Sequence, residues 1–489
     1  MKKDLTRRSF LQIAGALGVA ACGEEETPDA APAGSAPPDE PGTSIPPAEG
    51  GVAPGDAGSN PPPPVPGVDL DSIPYQQSEF TYGVMAGDAM PTQVVLWTRH
   101  PGTDRLFVQV EELGAAGAKG KVVVSRAIDP KERSGAGFVH VDATGLSPGA
   151  RLRYAFYVAD AAGKPIARSP IGRVRTALAP GALEVITFGG TSCTHQNGAP
   201  YPELADAAKR TFDFFIHGGD HVYTDAGTDA VTLAQYRAKY ASAWGQPGMS
   251  ALHGSTGMLT TWDDHEFVNN WDPETIAPAR LDAALTSFFE HRAVRRNPAA
   301  PNRVWRNFVW GDTLEVLVLD ARSERKPSTR AAANAQFISP AQMTWLKQRL
   351  KASTAVFKFV VTSVPITNFP PAAAGEADKW EGYPAQREEI LDYVQTQGLK
   401  GVWWLSGDLH FASIGGIGAT GARRAMREVL MGPGGTTART NITLSSTQFD
   451  TVIEQKNYTS FRVDPIAKEL TVEYLGANGK SIFKKTYPA

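Results

Sequence analysis

From residue 183 onward, short apolar runs recur, and five times a polar cluster stands where the run stops. "LEVITFGG" leads to Cys193, and "FDFFIHGG" leads to "DHVYTD". "TTWDDHEFVNN" (260–270), "LDARSER" (319–325) and "SGDLHFA" (406–412) follow the same rule. Between them lie segments with helical apolar spacing, among them "PYPELADAAKR", "LAQYRAKYASAW", "ARLDAALTSFFEHRAV" and "SPAQMTWLKQRL". The last has Ser339 as N-cap, Pro340 at the first helical position and Gln342 three residues on from the cap. "NFVW-GD-TLEVLVLDAR" reads as a hairpin. Strands alternating with helices predict an α/β fold, in which sites gather where strands end and loops begin.

The residue types in those clusters point to a metal. Asp, His, Tyr and Cys are ligands for hard or borderline cations. Asp220 follows a Gly-Gly pair, which lets backbone approach a ligand closely; a turn or helix-cap aspartate is the structural alternative. Tyr223, three residues later, reads as a packed aromatic or a phenolate ligand. In Asp263-Asp264-His265-Glu266, three acids crowd one histidine, which is costly without a cation. Asp408 and His410 flank Leu409, so in an extended segment both face one way. Each cluster alone has a structural explanation; five at successive strand ends are hard to explain as capping.

The rest of the chain bounds the answer. A length of 489 residues calls for two or three domains. The formal net charge of −3 suggests no polyanion-binding surface and gives no reason to expect nucleic acid as a partner. The start, "MKKDLTRRSFLQIAGALGVAACG", resembles a twin-arginine signal (Arg7-Arg8, residues 1–21) joined to a bacterial lipoprotein cleavage box. That implies recognition by the twin-arginine export machinery, a mature chain beginning at Cys22, lipid on its thiol, and a place in the cell envelope, periplasmic or at the outer surface. With Cys22 consumed as an anchor, Cys193 has no disulfide partner in the chain. No other apolar run reaches the roughly 20 residues of a membrane span. Residues 22–77, rich in Pro, Gly, Ala and Ser, read as a disordered tether. Residues 78–178 read as a small all-β sandwich of fibronectin type III style. Residues 183–489 make the second domain, which closes on a β-hairpin, "ELTVEY-LGANGK-SIFKKTY".

Taken in order, "YGVMAGDAMPTQVVLWTR", "TSC", "GGDHVY", "TWDDHEFVNN", "LDARSER", "DKWEGYPAQR" and "GDLH" resemble the PhoD-like alkaline phosphatases. These are binuclear metallophosphoesterases related to the purple acid phosphatases. The resemblance covers about residues 78–487. It implies a pair of β-sheets flanked by helices, with the metals at the strand ends. It implies Fe3+ held by Cys193, Asp220, Tyr223 and His410, with Asp220 bridging to Ca2+. The calcium side resembles Asp264 and Asp408, with Asn270 as an addition. Arg322 resembles the arginine that grips the phosphoryl oxygens, and His265 stands where a histidine lies near the leaving group. A water activated between the cations would attack phosphorus in line, hydrolysing monoesters and diesters. Two departures stand out: His221 replaces a usual aromatic, and Thr224-Asp225 stand where a Glu often follows the tyrosine, leaving Asp225 as the substitute for an extra calcium ligand. The chain ends soon after "GDLH", so a C-terminal helical lid is not expected. A monomer is expected. Two rival readings share the fold: a phospholipase D-like phosphodiesterase on lipid head groups, and a non-catalytic surface-binding lipoprotein.

Overall fold

The computed structural model describes residues 62–114, 117–374 and 378–489. The signal sequence, Cys22 and the tether as far as residue 61 lie outside the described residues.

Among the described residues, two large sheets face each other. One has nine strands, and its centre is the parallel trio Ile186–Thr191, Phe214–His217 and Gly257–Thr260. The other has seven, with Leu314–Val318, Phe357–Val361, Val402–Ser406 and Arg427–Leu430 running parallel. Their strands are short, apolar and buried, as expected for parallel strands covered on both faces. The core between the sheets is largely aromatic. Phe188 stacks on Phe214 and Phe461 with ring centroids 4.7 and 4.5 Å away, and meets Phe359 of the facing sheet edge-on at 5.1 Å. Helices such as Leu233–Trp244, Pro278–Glu290, Pro340–Ala352 and Pro384–Thr396 accompany the strands. The Ser339 hydroxyl accepts from the Gln342 backbone N–H, the N-cap its sequence implies. The expected two-sheet α/β architecture is therefore observed. The C-terminal hairpin, Glu469–Leu475 with Ser481–Pro488, forms one edge of the nine-stranded sheet.

The β-rich segment in front does not stand apart. Its strands Val84–Gly87, Gln93–Arg99 and Phe138–Thr144 continue the nine-stranded sheet, and Val84–Gly87 pairs in parallel with Gly257–Thr260. Five other strands, Arg105–Glu112, Val122–Ala127, Arg151–Ala159, Pro165–Arg168 and Gly172–Arg175, make a second layer. The two layers share a core of alternating residues such as Val94, Leu96, Val108, Val110, Val139 and Leu152. A sandwich thus exists, but one of its sheets is an extension of the large one.

The tether reading fails for residues 62–77. Leu70 and Ile73 are buried against Phe107 and Tyr157, and Val65 and Val68 pack beside them. The Gln109 side chain pins Val68 through both its backbone groups. Four apolar residues spaced among prolines and glycines were enough to dock the segment, although its composition looked core-poor.

Phe188→Ala should lower unfolding free energy by about 3–5 kcal/mol, since it removes a fully buried ring at the junction of both sheets. Chemical denaturation followed by tryptophan fluorescence measures this; a loss under about 1 kcal/mol would contradict the packing described.

Candidate metal centre

The C-terminal ends of the parallel strands from both sheets converge. Ile186–Thr191 delivers Cys193, Phe214–His217 delivers Asp220 and Tyr223, Gly257–Thr260 delivers Asp263 and Asp264, and Val402–Ser406 delivers Asp408 and His410. Ligating atoms of Cys193, Asp220 and His410 lie within 4.8 Å of one another, and so do those of Asp220, Asp264 and His265. Asp220 belongs to both groups. The Tyr223 hydroxyl lies 3.1 Å from Asp220 Oδ2 and 2.9 Å from His410 Nε2, and accepts from Thr436 at 3.0 Å.

The backbone around these residues is strained. Cys193 (φ 55°), Asp220 (57°), Asn270 (54°), Asp408 (75°) and His410 (57°) are non-glycine residues in the left-handed region. Such conformations cost about 1–3 kcal/mol each and persist where surroundings enforce them. Two glycines permit the convergence. A Cβ on Gly219, itself at φ 114°, would sit 2.7 Å from the Asp263 Cβ, and one on Gly407 would meet Ser192 Cβ at 2.5 Å. The first approach packs two neighbouring loops of the nine-stranded sheet, and the second brings a loop of the seven-stranded sheet against it.

A single carboxylate fixes the arrangement. Glu266, fully buried, accepts the Asp220 and Asp263 backbone N–H groups on Oε2 at 3.2 and 2.9 Å. Its Oε1 accepts the His221 N–H at 2.5 Å and His221 Nδ1 at 2.7 Å. His221 stacks on buried His217 at 3.7 Å, so it is support for Glu266 rather than a ligand.

Anions crowd the centre. Burial, followed by the Asp220 charge, holds the Cys193 thiol far above its ordinary range. Burial and the same Asp220 charge do likewise for Tyr223. Burial also drives Asp220 and Asp408 far up, with further carboxylates adding to it. Asp264 goes the other way: burial opposes its charge, but Arg322 and His265 hold it below the usual carboxylate range. Its buried Oδ1 has no hydrogen-bond partner. Thiolate, phenolate and carboxylate donors converging on one buried spot, with an orphan carboxylate oxygen among them, fit a pair of cations.

The sequence-predicted set is largely brought together, with one exception. Arg322 is fully buried behind the site. Its Nε donates to Asp263 at 2.6 Å, its Nη1 donates to Asp378 at 2.8 Å, and its Nη2 lies 3.8 Å from Asp264. It is fully buried and does not line the cleft, so the expectation that it grips a phosphoryl group is corrected: Asp263 and Asp378 take Nε and Nη1, and Nη2, buried without a hydrogen-bond partner, faces Asp264. Exposed Asn270 donates its backbone N–H to Asp264 Oδ2 at 2.7 Å and lines the cleft.

The cleft itself, about 380 Å³, is bordered by Asp264, His265, Asn270, Asp408 and His410, together with Lys379 and Arg439. Arg439 donates its backbone N–H to His410 O at 2.7 Å and Nη1 to Ala373 O at 2.7 Å. Sequence reasoning missed these two cations, although Lys379 stands inside "DKWEGYPAQR". It also missed the main role of Asp225, which grips His265 Nδ1 at 2.8 and 2.9 Å and leaves Nε2 as the nitrogen for the cleft. His265 lies against the Tyr223 ring at 3.9 Å.

Residues 188–462 match the PhoD-like phosphatase model, and residues 68–178 match the model of the PhoD-like phosphatase N-terminal domain. The chain belongs to the PhoD-like phosphatase family. It is 29% identical over 385 residues to alkaline phosphatase D of Bacillus subtilis (strain 168). That match covers 69% of this chain and 65% of the relative, so the chain spans just under two thirds of the relative's length. Among solved structures, one of PhoD superposes with a TM-score of 0.73 at 22% identity, covering 86% of this chain and 92% of that one. A purple acid phosphatase from yellow lupin (Lupinus luteus) seeds gives 0.61 at 13% identity, over 83% and 73% of the two chains. Both show the same fold as this family member.

Glu266→Gln should be more damaging than its isosteric shape suggests, because one amide position turns an acceptor toward N–H groups into a donor. Buried donors left unpaired cost about 1–3 kcal/mol each. The expected result is a lower melting temperature and a fall in bound metal together; wild-type metal content would contradict the assigned role.

Proposed function

We propose that the protein is a metal-dependent phosphoesterase of the cell envelope that hydrolyses phosphate monoesters, and diesters in the same cleft. The observation that carries this is the Asp220 carboxylate, which lies within 4.8 Å of the ligating atoms of Cys193 and His410 on one side and of Asp264 on the other. Cys193, Tyr223 and His410 complete one side, and their thiolate, phenolate and imidazole donors suit a trivalent iron. Asp264 and Asp408, with Asn270 beside them, supply oxygens suited to calcium. Bound there, two cations supply an acidified water and a clamp on the phosphate oxygens.

The chain's own residues do the rest. Arg439 and Lys379 border the cleft and offer positive charge to the phosphoryl oxygens as negative charge builds on them. His265 faces the leaving group. Burial works against its charge, but Asp264, Asp220 and the Asp225 hydrogen bond hold its pKa up to about 10. Nε2 then delivers a proton to the departing oxygen, while Asp225 fixes the ring. Arg322 keeps Asp264 ionised and in place from behind.

Asp220→Ala should remove both metals and activity toward an aryl phosphate, whereas Cys193→Ala should lose iron first and keep part of its calcium. Metal analysis alongside turnover of an aryl phosphate and its diester checks this. Full turnover in metal-depleted protein would overturn the reading, and turnover of the diester alone would move the substrate class to phosphodiesters.

The envelope location rests on the Arg7-Arg8 signal and the small residues before Cys22. No helix among the described residues is long and apolar enough to cross a membrane. Cys22→Ser should move the protein from the membrane fraction to the soluble fraction on cell fractionation; unchanged membrane retention would rule out the thiol anchor.

A further inference from the structure

A second charged feature lies at the other end of the strands. A groove of about 1060 Å³ is lined by Phe212 and Thr256, just before the strands Phe214–His217 and Gly257–Thr260 begin. The metal-centre loops leave the opposite ends of those strands, about 13 Å away at 3.3 Å per residue.

One wall of the groove is an array of arginines. The strands Arg151–Ala159 and Gly172–Arg175 pair in antiparallel register, with Arg151 opposite Arg175 and Arg153 opposite Arg173. Residues two apart share a face, so all four project together, while Leu152 and Val174 between them enter the sandwich core. Like charges directly opposite each other destabilise a sheet. Acids offset part of the cost. Asp213 takes Arg151 at 2.8 Å and Arg175 at 3.0 Å; Glu184 takes Arg175 at 2.6 Å; Glu111 takes Arg153 at 2.6 Å; Asp71 takes Arg153 at 3.1 Å. Arg153 Nη2 remains buried without a hydrogen-bond partner, and among the described residues exposed Arg173 and Lys209 have no carboxylate within ion-pair distance. Arg210 adds a further cation at the rim. The lining holds seven Lys and Arg side chains; Lys119 is paired with Asp69 and Asp71 at 2.5 and 2.7 Å and Arg210 lies 3.9 Å from Asp206, so the uncompensated positive charge sits on Arg173 and Lys209.

We propose that this groove binds a chain of linked phosphates, a soluble polyanion held away from the catalytic cleft. Neighbouring arginines across the strands stand about 5 Å apart, and those along a strand about 7 Å apart. This two-dimensional array suits successive phosphates better than a single one. Its recess favours a flexible chain over a bilayer, because a planar surface would meet the rim and miss the buried Arg153 Nη2, which has no hydrogen-bond partner. For a phosphoesterase, such a grip retains a polymeric substrate between turnovers; that use rests on the function proposed above, whereas the binding does not. The net charge of −3 conceals the array, since register joins arginines 24 and 20 positions apart in sequence.

Binding of long-chain inorganic polyphosphate to the full chain, measured by calorimetry at two salt concentrations, tests the proposal, with inorganic phosphate and phosphatidylglycerol vesicles as comparisons. Wild type should bind polyphosphate in a salt-weakened manner. The double variant Arg173→Glu/Lys209→Glu should bind about tenfold or more weakly, equivalent to about 1.4 kcal/mol. Both replaced side chains are exposed, so melting temperature and aryl phosphate turnover should not change. Equal polyphosphate affinity in wild type and variant would overturn the proposal. So would loss of vesicle binding alone, which would assign the groove to a membrane surface. Absence of aryl phosphate turnover in wild type would count against the proposed function and leave the binding result standing.

Discussion

The metal centre depends on one carboxylate that touches none of the other candidate ligand side chains. Glu266 gathers the backbone N–H groups of Asp220, His221 and Asp263 and the ring of His221 onto two oxygens. The segments it joins follow two neighbouring parallel strands, and both turn sharply at that point. Four donors to one buried acceptor group are a strong local constraint: burial raises the Glu266 pKa to about 7, and the backbone N–H groups of Asp263 and His221 work against that burial by favouring its charge. With those loops pinned, Asp220 is fixed at its strained φ, and the other residues of the centre are positioned relative to it.

What Glu266 holds together resists being held. Burial raises the cost of ionising Cys193, Asp220, Tyr223 and Asp408; the Asp220 charge adds to it for Cys193 and Tyr223, and Asp263 and Asp264 add to it for Asp220 and Asp408. Without cations the cluster is relieved by protons. With them, the same crowding becomes affinity. Arg322 is part of this balance: with Asp263 and Asp378 on its fork, it supplies a fixed positive charge beneath Asp264 without entering the cleft. Strain, burial and like charge are thus concentrated in one place, and the two aromatic-cored sheets beneath supply the rigidity that tolerates them.

Much of this was legible in the sequence because strand ends carry the chemistry. Apolar runs ending in Cys193, Asp220, Asp264 and Asp408 mark the candidate centre in the sequence itself, and the strand–helix alternation marks the α/β fold. The direction in which a side chain leaves its loop was not legible. "LDARSER" offers Arg322 to the cleft as readily as to the interior, and only the placement of Asp263 and Asp378 decides. Asp225 was legible as a candidate ligand but not as the partner of His265, 40 residues away, and Arg439, held by Ala373 across 66 residues, carries no local signature. Residues 62–77 misled through composition: prolines and glycines dominated the reading, while a few spaced apolar side chains governed the packing.

The parallel pairing of Val84–Gly87 with Gly257–Thr260 means that the larger sheet is completed by chain made early in synthesis. A fragment beginning near residue 183 would present Gly257–Thr260 as an open edge, next to the loop that carries Asp263 and Asp264. An unpaired edge of that kind is a template for association with other chains. The leading β-rich segment is therefore a cover against aggregation as much as a neighbour, and the order of translation puts it in place before the strand that needs it exists.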